Sequence, residues 1–261
     1  MTTFENAASE TRVSWWQQTF ALLAKDLKAE LRTKVAISAV GVFTFASLLL
    51  LGLATAVLKE VPTIKLLGLS YPATLDQLLG KQQPAWDSPS KLGMLWVLFC
   101  FAAFAGLAHS FVHEEETNTV TALRLSMSAG AVYTGKLLFN LIVLLVIMLV
   151  VTPVYIAMTG MKIGSPFVFL AVMLSGGVCL AATATIIAAL AAKAQGTGAL
   201  YGALGLPLLL VFLLLLMNAA GTVYVENAPT LRIVKDVGGL FSFGVLIISM
   251  SAMLFHFVWE E

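Results

Sequence analysis

His109 and His113 stand four residues apart, so on a helix both imidazoles share one face, a spacing that can ligate haem iron or a divalent metal. His256 is the one other histidine, and the three form the set of haem candidates. No acidic or cysteine partner completes a ligand set around them, which favours a polar pair at a membrane boundary. Glu114, Glu115 and Glu116 follow at once. Such a carboxylate run either solvates the end of a membrane helix or offers a cytosolic partner a charged grip. Gly130–Lys136 fits the phosphate-loop pattern G-x-x-x-x-G-K, yet Leu137 stands where a Ser or Thr should hold magnesium. No strand precedes it, so the match reads as coincidence and this chain is expected to leave ATP alone. Cys100 and Cys179 fall inside apolar runs, where a thiol acts as a small filler. Without paired carboxylates, a Ser/His pair or a metal set within those runs, the chain does not read as an enzyme.

The elements that must carry these residues are written in hydropathy. Six runs, 36–58, 92–112, 137–158, 165–192, 199–217 and 237–259, contain no Asp, Glu, Lys or Arg. Each meets or approaches the roughly 20 apolar residues that a spanning helix needs. Composition agrees, at 59% hydrophobic, 11% charged and a mean hydropathy of +0.94. The expected fold is an all-α integral membrane protein: six transmembrane helices in one domain over residues 36–259. Spans without ionisable residues lack the relays of ion-driven transporters. Energy must then come from a partner, or none is used. A net charge of +1 gives no case for nucleic acid as a ligand.

Residues 1–35 read as a cytoplasmic N-terminus. Within it Phe20, Leu23, Leu27, Leu31 and Val35 recur at helical spacing, while Lys25, Lys28 and Arg32 line another side. That division predicts a helix lying in the interface, its cations toward lipid headgroups. No signal peptide is expected, because the first run starts at Ala36 and outlasts a signal core; Ala54–Ala56 only imitates a cleavage site. Lys and Arg divide almost evenly between the two sides, so orientation rests on the cluster Arg12, Lys25, Lys28, Arg32 and Lys34, which holds the N-terminus inside. Residues 59–91, with four prolines, form a long outer loop, and 113–136 an inner segment. Gly198 with Gly202, and Ala184 with Ala188 and Ala192, are small-residue faces for close helix packing. Pro153 and Pro207 are placed to kink their helices, and Asn140 is an isolated polar group.

Taken in order, these features resemble one family. The amphipathic stretch Lys25–Arg32 leads into the first span. The segment HSFVHEEETNTVTALRLSMSAGAVYTGKLLFN (residues 109–140) follows the second, and AAKAQGTGALYGALGLPLLLVFLLL (residues 191–215) opens the fifth. Their order and spacing are similar to the CcmB family, haem exporter protein B, the membrane subunit of the cytochrome c maturation ABC transporter. The likeness is best over Leu92–Met217. The chain departs from the family at Ser126–Ala129, where many members carry a proline step, and in the length of the 59–91 loop.

The resemblance implies a type-2 ABC exporter permease with an N-terminal elbow helix in the bacterial inner membrane. Two copies would pair with two copies of a cytosolic CcmA-like ATPase, which binds the ATP. CcmC-like and CcmD-like membrane proteins and a CcmE-like haem chaperone would complete the system. Haem is then a possible cargo and not a resident cofactor. By the same analogy Glu114–Arg124, with Glu114, Glu115, Glu116, Leu123 and Arg124, is the segment that docks on the ATPase. Two alternatives stay open. One is a permease of the same superfamily for a lipid, drug or polysaccharide; the other is a non-transporting scaffold for haem-handling proteins.

Overall fold

The computed structural model describes residues 14–60, 89–107, 125–193, 198–225 and 229–260. Among them the chain forms seven long helices and no strand: α1 (Trp15–Thr33), α2 (Val35–Glu60), α3 (Pro89–Leu107), α4 (Ala129–Thr159), α5 (Pro166–Lys193), α6 (Gly198–Val223) and α7 (Thr230–Glu260). A backbone without water to bond must satisfy itself internally, and a helix does so within one segment. Three stretches, Ala129–Thr159, Pro166–Leu190 and Thr230–His256, are long and apolar enough to cross a bilayer. Shorter apolar stretches, Gly41–Leu53, Lys91–Phe104 and Pro207–Val223, lie in α2, α3 and α6.

Several helices start earlier than the charge-free runs do. α4 begins at Ala129 rather than Leu137, α7 at Thr230 rather than Val237, and α3 at Pro89 rather than Leu92. Each extension takes in charged residues that find partners. Lys136 reaches Asp26 of α1 at 2.9 Å, and Lys91 donates to the Thr159 carbonyl at 3.1 Å. Asp236 accepts from Thr222 and lies 3.6 Å from Arg232. A hydropathy run stops at the first charge, whereas a helix continues if that charge is paired. Pro153 and Pro207 lie within α4 and α6, which continue through them.

α5 is the central helix. Of its apolar stretch 67% is buried, against 33% for α4 and 22% for α7. It packs on α3, α4, α6 and α7, while α1 lies against α4 and α2 against α3 and α4. Small residues bring the axes together, with Ala184 and Ala188 both buried. Trp96 of α3, fully buried, rests directly on Gly176 of α5. Its indole meets Phe99 and Phe212 edge-on at centroid distances of 5.7 and 5.6 Å, the arrangement that aromatic quadrupoles favour.

The six residues from Gly160 to Ser165 reverse the chain between α4 and α5. Gly160 takes φ +61° and its N–H caps Ile156 at 2.9 Å, a left-handed conformation natural to glycine. Ser165 N–H donates to the Val223 carbonyl at 3.0 Å, which fixes the end of α6 at this turn. Burial, with Tyr155 beside it, pushes the neighbouring Tyr224 phenol up to about 12. A Cβ on Gly164 would lie 2.7 Å from the Tyr224 carbonyl oxygen, a backbone atom that cannot swing aside. Gly164→Ala is therefore expected to cost about 1–3 kcal/mol. Thermal melting in detergent checks this, with Gly177→Ala as the control, since its methyl would meet only the Met148 and Leu145 side chains, at 3.4 Å and beyond.

Candidate coupling end of the bundle

At the end opposite the Gly160–Ser165 turn, α1 is clamped to the first turns of α4. α1 opens at Ser14, whose N–H donates to Gln17 Oε1 at 3.0 Å. It closes at Lys34, left-handed at φ 55°, whose N–H reaches the Glu30 carbonyl at 2.7 Å. This single-residue break sets α1 apart from α2. The contact with α4 is made on the Thr19, Leu22 and Asp26 face, all buried. A Cβ on Gly135 would come within 3.0 Å of Leu22, so glycine permits this approach. Gln18 Oε1 accepts from Ser128 N–H at 3.2 Å, and lies 3.3 Å from the Ser128 hydroxyl.

The ion pair is the strongest tie. Lys136 and Asp26 are 2% and 9% exposed, and their charged atoms meet at 2.9 Å. Lys25 approaches the same carboxylate at 3.4 Å while half exposed. Salt screens a pair so buried far less than a surface one. The Gly130–Lys136 stretch is thus the start of a helix, with its lysine held by a carboxylate, and has no phosphate-loop geometry.

From Tyr133 through Lys136 to Asn140, one side of α4 carries a polar seam. Tyr133 packs on Phe255 of α7 with ring centroids 5.6 Å apart. Asn140, fully buried, donates through Nδ2 to Thr185 Oγ1 of α5 at 2.8 Å. Thr185 in turn donates to the Ala181 carbonyl at 2.6 Å. Asn140 Oδ1 has no hydrogen-bond partner among the described residues. Interhelical bonds of this kind are worth only about 0.6 kcal/mol on average. Asn140→Leu, of similar volume, removes both the bond and the orphaned oxygen. It is expected to change stability by less than about 1 kcal/mol, read from the detergent melting temperature.

Among the sequence candidates, Lys25, Lys28 and Arg32 are exposed on α1. That helix also exposes Trp16, Phe20 and Leu31, and Trp16 and Phe20 stack at 6.3 Å. Of the apolar stripe Phe20 and Leu31 are outward and Leu23 and Leu27 half-buried, while the face packed on α4 is the one bearing Asp26. His256 is exposed on α7. His109, His113, Glu114, Glu115, Glu116, Leu123 and Arg124 lie outside the described residues, as do most of the outer loop and the surroundings of Gly198 and Gly202. Among the described residues no three His, Cys, Asp or Glu gather as a metal set. Sequence reasoning passed over Gln18 and Asp26 and met Lys136 only as the end of the phosphate-loop pattern. The available signal was two acids, Asp26 and Glu30, within a basic helix and one lysine eight residues into α4.

The arrangement ties two helices together at this end. A helix outside the bundle core is fixed by an ion pair to a long helix, just after the segment that precedes α4. The family of ABC-2 type transporters matches residues 17–214, from the first turn of α1 into α6. The chain belongs to the ABC-2 type transporter family. No curated protein and no solved structure is significantly similar to it. As an ABC-2 chain it is a multi-pass membrane protein and a permease component that works with an ABC ATPase. The family match includes α1, so the α1–α4 clamp belongs to the ABC-2 domain itself.

Proposed function

We propose that this chain is the permease subunit of an ABC transporter serving cytochrome c maturation, in haem export or in the ATP-driven release of a haem-loaded chaperone. The observation that carries the reading is the order of parts within the ABC-2 match: an amphipathic α1, an acidic stretch after α3, and α4 opening beside α1. That order resembles the CcmB family. In this reading α2 to α7 are six spans in the bacterial inner membrane, with the N-terminus in the cytoplasm. α1 lies along the inner surface as the elbow, with Trp16, Phe20 and Leu31 in lipid and Lys25, Lys28 and Arg32 among headgroups. The cytosolic CcmA-like ATPase grips Glu114–Arg124, and the α1–α4 clamp receives the stroke. A second permease copy, CcmC-like and CcmD-like proteins and a CcmE-like chaperone are the expected partners. An ABC-2 permease for another cargo is the second reading, since the family match alone sets no cargo.

Purification of the tagged chain in mild detergent from its own host tests this, with partners identified by mass spectrometry and haem read by absorbance. Recovery of a small ATPase with CcmC-like and CcmE-like proteins is the expected result. An ATPase without them moves the assignment to another exporter, and no ATPase at all leaves a scaffold. Alanine at Glu114, Glu115 and Glu116 is expected to release the ATPase from the complex and abolish c-type cytochromes. Intact cytochromes after loss of the ATPase would sink the permease role.

A further inference from the structure

A cleft runs between α5 and α7 on the half of the bundle nearer the Gly160–Ser165 turn. Its volume is about 380 Å³ and its lining is almost wholly apolar. Ala171 and Ser175 of α5 and Gly238 of α7 leave the hollow, and Leu174, Val237 and Phe241 border it. The Ser175 hydroxyl is turned back to the Ala171 carbonyl at 2.7 Å, which leaves little polar character on the floor. A Cβ on Gly238 would meet nothing within 4 Å, so the hollow is open.

Both helices start at the turn end and run parallel, since Val223, at the close of α6, bonds Ser165. One helical turn above the cleft the same faces continue with Phe167 and Val234, exposed by 87% and 63%. From Ala171 to Val178 the α5 side of the cleft runs about 10 Å, at about 1.5 Å per residue. That is roughly two-thirds of one leaflet of a hydrocarbon core about 30 Å thick. Charge gathers where this path ends. Lys162 and Lys235 are exposed there, and Arg232 lies 3.6 Å from Asp236. Among the described exposed side chains the balance at this end is basic.

We propose that the α5–α7 cleft binds one acyl chain of an anionic phospholipid, with its headgroup at the Lys162–Lys235 end. In a bilayer, lipid hydrocarbon is what meets an exposed apolar face. A hollow about 10 Å long and floored by small residues takes much of one chain out of the bulk. The lysines at its mouth then select the charge of the headgroup. The site follows from the cleft and the membrane setting alone and does not depend on the cargo.

Native mass spectrometry of the purified chain titrates palmitoyl-oleoyl phosphatidylglycerol against the phosphatidylcholine of the same chains. The wild type is expected to take its first phosphatidylglycerol about fivefold more tightly than phosphatidylcholine, the scale of one lysine near a headgroup. Lys235→Gln should remove most of that preference while a lipid still binds. Gly238→Leu should weaken the first site for both lipids by about tenfold, the loss expected if its side chain displaces about two acyl methylenes. Leu174→Gln, at a half-exposed wall position, reads the same loss through polarity if Gly238→Leu fails to fold. Equal first-lipid binding in the wild type and these variants would overturn the proposal as mere annular lipid. Unchanged lipid binding with a shift from dimer to monomer would overturn it in favour of a second copy in the cleft.

Discussion

Lys136→Met is expected to cost about 3–5 kcal/mol, because it leaves Asp26 as a buried charge without its closest partner. The single change Asp26→Leu is also expected to destabilise, since it removes the carboxylate 2.9 Å from an ammonium that is 2% exposed. The double variant Asp26→Leu with Lys136→Met should then recover most of the loss. Replacing a buried pair by apolar groups of similar volume is often neutral or stabilising. Melting temperatures of the four proteins in detergent form the cycle, and additive losses would refute the pairing. A second readout separates holding from signalling. If the pair carries motion between α1 and α4, the double variant will be stable and assembled with its ATPase, yet deficient in coupled function. If it serves only stability, the double variant will work as the wild type does. Lys25, 3.4 Å from Asp26 but half exposed, is no substitute for Lys136, since solvent screens it.

That pair also marks where the sequence stopped being informative. The apolar runs lie within or largely within α2 to α7, and a helix is the structure that satisfies its backbone within one apolar segment. Helix starts were less legible, since hydropathy treats Lys136 and Lys91 as boundaries. Whether a charge ends a helix depends on a partner elsewhere in the chain, and Asp26 lies far from Lys136 in sequence. The face of α1 that packs on α4 was hidden for a related reason. Phe20, Leu23, Leu27 and Leu31 form the apolar stripe, which reads as a lipid-facing surface. Beside a bilayer an apolar face can meet lipid as readily as protein. The inward face is instead Thr19, Leu22 and Asp26, where a glycine of α4 allows close approach and a lysine supplies the counter-charge. Small-residue spacing marks Ala184 and Ala188, and both are buried on α5. It gave no hint that Gly176 would matter most there, because its partner is an aromatic ring on α3.

Trp96→Ala is expected to cost about 3–5 kcal/mol through the cavity it would open. The ring is fully buried and bordered by Phe99, Phe212 and the backbone of Gly176, so little can collapse into its place. Gly176 completes the argument from the other side. A Cβ there would lie 2.3 Å from Trp96 Cη2 and 2.7 Å from Cζ2. The two phenylalanines limit where the indole can retreat. Gly176→Ala should therefore destabilise by about 1–3 kcal/mol, although alanine is the better helix former by about 1 kcal/mol. The indole N–H has no hydrogen-bond partner among the described residues, so Trp96→Phe surrenders no hydrogen bond, only volume. That volume lies where the new methyl must go. Trp96→Phe combined with Gly176→Ala is expected to melt above the Gly176→Ala single variant, with a favourable coupling of about 0.5–3 kcal/mol. A double variant weaker than both singles would mean that α3 and α5 are held together elsewhere. The expected rescue would fix this Trp–Gly contact as the point where the central helix is set against the rest of the bundle.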